Sequence, residues 1–316
     1  MTRYLADLIF FMYFCIMIHR LSTYFILLLL IITAYIMCGC SRADNRPVLT
    51  VSIEPQRYLL EKIVGDKWQV NTLLEKGADP ENFDPSISAL RKASDSRAYF
   101  RIGNMAFEDV VTDRISATDD ILTFDTSEGI TLLKGTHHSS DGHDENETHS
   151  HDIDPHIWSS VANARIIASN MYRAMLEIDP DNKDYYTANF NRLTSELDSL
   201  DSELRLMLAP LAGHAFIVWH PSLSYFAADY GLEQIALGMD HKEMSAMEMR
   251  SNIDKARSHS ASVMFVQPDF DSNRSQEIAA QAGATAVMIN PLGYDWPDEM
   301  RKIARALTAN TDNNER

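Results

Sequence analysis

The feature that most restricts this chain is an unbroken run over residues 183–209, "KDYYTANFNRLTSELDSLDSELRLMLA", with no glycine or proline inside it. Leu193, Leu197, Leu200, Leu204 and Leu208 recur three and four apart, which puts them on one stripe of a helix. At ~1.5 Å rise per residue that helix is about 40 Å long. It is too long for a crossover in a small sheet and about right for a strut between two lobes. On both sides of it strands alternate with helices. Before it, "VLTVSI" (48–53), "WQVNTLLEKG", "RAYFRIG" and "ILTFDTSEGI" read as strands. Helices lie between them: one closing on Gly65, one capped by Ser86 or Ser88, and "AFEDVVTDRISA". A helix over 160–177 precedes the strut. After it, "AFIVW", "LEQIALG", "ASVMFVQ" and "TAVMIN" alternate with helical segments, and the chain is expected to fray after Ala309. Such alternation predicts an α/β fold of two parallel-sheet lobes joined by a long backbone helix. No shorter internal repeat is evident. The lobes are placed at 48–182 and 210–316.

The first forty residues stand apart from this body. "LIFFMYFCIMI" and "LSTYFILLLLIITAYIM", separated by His19 and Arg20, lead into "CGCSR", the layout of a secretory signal. Gly39 before Cys40 resembles a bacterial lipobox with Cys40 as the lipidated residue, although Met37 and Cys38 depart from that pattern. Cleavage there would leave an acylated N-terminus that anchors the protein to a membrane through a tether over 41–47. The expected location is the bacterial cell envelope, facing the periplasm or the exterior. Two alternatives stay open: a true transmembrane helix over 21–37, and a translation start at Met17.

All three cysteines, Cys15, Cys38 and Cys40, lie in this leader, so the body must stand on its core without disulfides. Removing the leader (Arg3 and Arg20 against Asp7) takes the formal charge from −17 to −18. So acidic a body is unsuited to nucleic acid and attracts cations, although acidity serves solubility equally well.

Residues 136–152, "THHSSDGHDENETHSHD", hold five of the eleven histidines: His137, His138, His143, His149 and His151. The segment cannot pack a core, and its composition reads as metal binding, with a solvated spacer as the alternative.

In parallel α/β sheets, ligands bind beyond the carboxyl ends of the strands. Four such loops carry groups that suit a metal: Glu81 in "GADPENFDP", His156 in "DIDPHIW", His220 in "AFIVWHPS" and Asn290 in "TAVMINPLG". Two imidazoles and a carboxylate suit Zn²⁺, and also Mn²⁺ or Fe²⁺. Each residue taken alone has a plainer reading as a hydrogen-bonded or solvated loop residue. Their fall at corresponding strand ends, two on each side of the strut, favours the metal.

"GADPENFDPS", "DPHIW", "WHPSLSYFAADYGL", "VQPDFDSNRSQEIAAQAG" and "NPLG" together resemble the solute-binding lipoproteins of zinc and manganese ABC importers, the ZnuA/TroA type, from about residue 48 to 307. The resemblance implies two α/β lobes on a rigid backbone helix with metal held in the cleft. The family's second and third histidine ligands map onto His156 and His220. Its first histidine falls on Glu81 and its acidic fourth position on Asn290, both departures. An amide is a weak zinc ligand, so the fourth place is open to water or another side chain. His241, in "GMDHKEMSAM", is one candidate, with a surface histidine as its alternative. Glu243 is a candidate partner orienting His220. By the same resemblance the histidine-rich segment marks zinc-directed members and lies beside the working site.

The expected function is therefore capture of Zn²⁺ outside the cytoplasmic membrane and delivery to an ABC permease by a monomeric, non-enzymatic receptor. Affinity should fall below about pH 6 as imidazoles protonate. A carboxylate in place of an imidazole favours harder ions, so manganese or iron selectivity is the alternative. A metal-buffering or adhesin lipoprotein is another. A zinc hydrolase is disfavoured, because no "HExxH" is present and no Ser-His-Asp or Cys-His set stands out.

Overall fold

The computed structural model describes residues 12–14, 16–29, 45–116, 121–135, 153–238, 244–268 and 272–311. They form two units, 1–45 and 46–316. In the first, an apolar helix α1 (Met12–Leu29) has a mean hydropathy of 1.6, enough by length and composition to cross a membrane or to serve as a signal sequence.

The second unit begins with β1 (Val48–Val51), α2 (Glu54–Val64), β2 (Gln69–Thr72), α3 (Ile87–Ser94), β3 (Ala98–Arg101), α4 (Ala106–Ser116) and β4 (Leu122–Asp125). Two long helices follow, α5 (Val161–Ile178) and α6 (Lys183–Leu208). The chain then forms β5 (Ala215–Val218), α7 (Ser224–Tyr230), β6 (Glu233–Ala236), α8 (Ala246–Ser258), β7 (Val263–Val266), α9 (Ser272–Ala282), β8 (Thr285–Met288) and α10 (Trp296–Thr311). The sheets have the same order, β2-β1-β3-β4 and β6-β5-β7-β8, with every neighbour parallel. The matched topology appears although no sequence repeat announces it.

Local chemistry sets the boundaries. β1 stops at Val51, two residues short of the expected strand, because Ser52 and Ile53 turn into α2 and their N–H groups are taken by Gln56 Oε1 at 3.0 and 3.3 Å. Gly65 ends α2 at φ 57°, a conformation that only glycine adopts freely. Ser86, rather than Ser88, caps α3 by accepting from the Ala89 N–H at 3.2 Å. α10 runs to Thr311, past the expected fraying point at Ala309, because Met300, Ile303, Ala304 and Leu307 carry its buried face.

α6 is the predicted strut, and its leucine stripe is at most 2% exposed. Its 26 residues span about 39 Å at ~1.5 Å each. One hydrophobic core runs from the first sheet across α5 and α6 to the near face of the second sheet, where Phe216, Val218, Val263 and Phe265 join it. The alternate residues Ala215, Ile217, Met264 and Val266 face a smaller core with α8 and α9, as the period of two along a strand requires. Polar ties lock the spine. Asn189 Nδ2 donates to the Ile63 carbonyl at 3.0 Å, and Arg301 Nε to Glu203 Oε2 at 2.8 Å. Trp296 Nε1 of the second lobe donates to the Trp158 carbonyl of the first at 2.8 Å, and Tyr294 OH to Glu61 Oε2 at 2.6 Å.

The crossovers diverge from β1 to β2 and β3, leaving a crevice beyond the carboxyl ends of β1 and β3. In the first lobe Glu108, fully buried, fills it. Its carboxylate accepts the Ile102 N–H at 2.7 Å, the Gly103 N–H at 2.8 Å and the Ser52 hydroxyl. The matching crevice of the second lobe, between β5 and β7, carries the His220 loop. The candidate ligands of the first lobe, Glu81 and His156, accordingly lie in the loops after β2 and β4, on either side of its plugged crevice.

Candidate metal centre

Two loops of the first lobe use the same local device. In Asp79-Pro80-Glu81, Asp79 Oδ1 accepts the Glu81 N–H at 3.0 Å, and its Oδ2 accepts Asn82 Nδ2 at 2.9 Å. In Asp154-Pro155-His156, Asp154 Oδ1 accepts the His156 N–H at 2.9 Å. An aspartate gripping the N–H two residues on, with proline fixing φ between, makes a stiff turn that aims the third side chain. The second lobe offers His220-Pro221-Ser222, where the Ser222 N–H returns to the His220 carbonyl at 2.8 Å. Gln267, just after β7, donates to Ser222 Oγ at 2.6 Å and ties this turn to the next strand.

These turns bring three side chains to one point. His156 Nε2 and His220 Nε2 are 3.0 Å apart, and Glu81 Oε1 lies 3.3 Å from the first and 3.7 Å from the second. A circle through three atoms with those spacings has a radius of about 1.9 Å. An ion about 2.1 Å from each, the usual Zn–N and Zn–O distance, would sit about 0.8 Å above their plane. In an ideal tetrahedron of the same bond length the offset is about 0.7 Å, so the three atoms form one face of a tetrahedral site. The side chains of His156, His220 and Glu81 are 3%, 10% and 17% exposed, which leaves the face reachable from one side.

Asp154 also fixes the electronic state of His156. Its Oδ1 lies 2.8 Å from His156 Nδ1, so Nδ1 carries the proton and Nε2 presents its lone pair to the centre. Burial alone would raise the Asp154 carboxyl, but hydrogen bonds from His156 and the Ser224 hydroxyl outweigh it and hold the group below its ordinary value. A buried carboxylate kept ionised behind an imidazole increases the ring's basicity toward a cation. The His156 ring also meets Trp158 edge-on at 5.1 Å and His220 at 4.9 Å, which limits its rotation.

Among the described residues, Glu81, His156 and His220 form a group of histidine and acid side chains whose ligand atoms lie within 4.8 Å of one another. Asn290 is exposed. Its N–H donates to Glu299 Oε1 at 2.7 Å, and its amide lies against its own turn, where a Cβ on Gly293 would be 3.3 Å from Nδ2. His241, Glu243, Cys40 and the histidines at 137, 138, 143, 149 and 151 lie outside the described residues. Sequence reasoning did not single out Asp79, Asp154, Ser224, Tyr225 or Gln267. The repeated Asp-Pro-X spacing was the available signal for the first two.

Two parallel α/β lobes on a shared helical spine, with ligand atoms converging from both, define a cleft-binding receptor. The chain belongs to the family described as zinc-uptake complex component A, periplasmic, whose profile matches residues 49–310. It is 26% identical over 258 residues to the high-affinity zinc uptake system protein ZnuA of Bacillus subtilis, covering 80% of each chain. It is 24% identical over 301 residues to the zinc-binding protein AdcA of Streptococcus pyogenes, covering 85% of this chain but 57% of that protein's length. Among solved structures, a crystal structure of ZnuA superposes with a TM-score of 0.75 at 34% identity, covering 84% of this chain and 99% of that one. A zinc-bound ZnuA deletion mutant matches at 34% identity with a TM-score of 0.73.

Proposed function

We propose that the protein captures Zn²⁺ outside the cytoplasmic membrane and delivers it to an ABC permease. The observation that carries this reading is the convergence of Glu81 Oε1, His156 Nε2 and His220 Nε2 at 3.0 to 3.7 Å with the shape of a tetrahedral face. Membership of a zinc-uptake family and likeness to zinc-binding relatives support it. The three side chains bind the ion as it arrives, and the fourth place goes to water, Asn290 or His241. The chemistry is reversible coordination, with no covalent bond made or broken. Residues 136–152 gather zinc through their histidines and pass it to the fixed site. The receptor works as a monomer, tethered through 41–47 by lipid on Cys40 after loss of the leader, with lobes 48–182 and 210–316 about the 183–209 helix. It faces the periplasm or the exterior.

A second reading is favoured by Glu81 itself. A carboxylate where the family pattern has an imidazole hardens the donor set and admits Mn²⁺. One competitive titration separates the two. Zn²⁺ is set against Mn²⁺ on the whole chain and on a chain lacking residues 136–152. The stem residues Lys134 and Ile153 pair as an antiparallel bridge, so the cut ends can be rejoined. Zinc stoichiometry should drop from several ions to one tight site, and excess Mn²⁺ should leave that ion in place. Even competition by Mn²⁺ would make this a manganese or broad-range receptor. Loss of all tight binding in the shortened chain would remove the cleft site and the transport function with it.

A further inference from the structure

Resting on the zinc-capture reading, we propose that Tyr225 of the second lobe is a positioning residue of the metal site. Its hydroxyl is inserted into the stem from which His156 projects. The stem is the short antiparallel pairing at Leu133–Lys134 and Ile153–Asp154, an isolated bridge flanking residues 136–152. At a hydrogen-bonded position of an antiparallel pair, two opposed residues exchange both of their N–H···O bonds directly. Leu133 and Asp154 make only one of the two: the Asp154 N–H donates to the Leu133 carbonyl at 2.9 Å. The other bond is interrupted. The Leu133 N–H donates to Tyr225 OH at 3.1 Å, and Tyr225 OH donates to the Asp154 carbonyl at 2.7 Å. One buried phenol of α7 therefore stands where a direct backbone hydrogen bond would close the stem.

The location of this wedge gives it consequence. Asp154 is the residue whose carboxylate holds both the N–H and Nδ1 of His156. Ser224, next to Tyr225, hydrogen-bonds that carboxylate. Gln234 in turn fixes this end of α7, accepting the Leu223 N–H at 2.8 Å and donating to Ser224 Oγ at 2.9 Å. α7 begins four residues after His220, so the wedge and the second imidazole move as one piece. The stem of one lobe and the histidine loop of the other are thus held in register by two neighbouring hydroxyls, Ser224 on the Asp154 side chain and Tyr225 between the two backbones. Without the Tyr225 hydroxyl the Leu133 N–H and the Asp154 carbonyl are free to bond directly. That draws Asp154 toward Leu133 and swings His156 Nε2 off the face it shares with Glu81 and His220. The same hydroxyl ties the base of the histidine-rich segment to the fixed site.

Tyr225→Phe removes the hydroxyl and keeps the ring. Tyr230→Phe, on the same helix, removes a hydroxyl that donates to Asp201 Oδ1 at 3.1 Å and touches neither stem nor ligand. The full chain in detergent, loaded with one equivalent of Zn²⁺, is mixed with excess chelator and the slow phase of zinc release is followed. Apo melting temperatures are recorded alongside. Tyr225→Phe should release zinc about tenfold faster, in the range seen when outer partners of metal ligands are removed. Tyr230→Phe should match the wild-type rate. Equal rates for Tyr225→Phe and wild type overturn the proposal, and so does equal acceleration by both variants, which would reduce the effect to general loosening of α7. A wild-type chain that retains no zinc overturns the capture reading itself, a failure visible before any variant is compared.

Discussion

Replacing Glu108 with glutamine should flatten the pH dependence of stability. Glu108 is 0% exposed in the crevice beyond β1 and β3, with Arg101 Nε 3.7 Å from Oε2. Burial pushes its carboxyl from the ordinary 4.5 up to about 7, against the opposing pull of the Ser52 hydroxyl, the Ile102 and Gly103 N–H groups and Arg101. In the unfolded chain the value returns to the ordinary one, so between the two values the folded state binds the proton more tightly. The stability from this group is therefore fully present below about 4.5 and is lost as pH rises through about 7. At ~1.36 kcal/mol per pKa unit, the loss between pH 5 and pH 8 is about 2 to 3 kcal/mol. Glutamine cannot titrate. Its amide also turns an NH₂ toward backbone donors, at about 1–3 kcal/mol, but equally at every pH. Urea unfolding of the chain without residues 1–40, at both pH values, gives the two slopes, and all other titrating groups cancel between the proteins. Parallel slopes would refute the reasoning, because they would mean the four opposing groups keep Glu108 ionised in the fold.

Two further outcomes follow from named contacts. Asp154→Ala removes both grips on His156 and should weaken zinc binding about 10- to 100-fold by calorimetric titration; unchanged affinity would show that the tautomer of His156 is set elsewhere. Leu200→Ala, at the middle of the α6 stripe and 1% exposed, should cost about 2–5 kcal/mol in denaturant unfolding, and a loss below about 1 kcal/mol would show that the stripe is not the core of the spine.

The spine and the sheets were legible because each is written in a local period. Five leucines at helical spacing, and strands bounded by turn residues, need no partner to be recognised. The candidate metal face was legible in part: Glu81, His156 and His220 each follow a strand, and position in a parallel sheet brings such ends together. Strand ends are not metal-bound by position alone, however. What selects these three is the stiff turn at each: for Glu81 and His156 it depends on an aspartate two residues back whose role appears only when its N–H partner is seen, and for His220 on the Ser222 N–H returning to its carbonyl. Tyr225 could not be read at all. Its ring fits the apolar pattern of α7, and its hydroxyl acquires meaning from Leu133 and Asp154, 92 and 71 residues away in the chain.

How an ion enters a face made by two lobes follows from the core they share. Here Phe216, Phe265, Trp296 and the α6 leucines belong to one cluster with Leu49, Phe100 and Ile167 of the first lobe. Each large apolar side chain returned to water costs about 1.5–3 kcal/mol. Parting the lobes far enough to expose even five of them would therefore consume most or all of the ~5–15 kcal/mol that holds an ordinary domain folded. The ties from Trp296 to Trp158 and from Tyr294 to Glu61 would break as well. Any lobe motion that exposes this cluster is thus disfavoured on energy. The movable parts are the loops that carry the ligands: the Asp79–Glu81 turn, 17% exposed at Glu81, and the Leu133–Asp154 stem. Both are tied by a few hydrogen bonds, worth about 0.5–1.5 kcal/mol each, and touch the core through partly buried side chains such as Ala78, Phe83 and Leu133. On the zinc-capture reading, admission and release of the ion fall to these loops, and the residues that would set their rate are those that pin them.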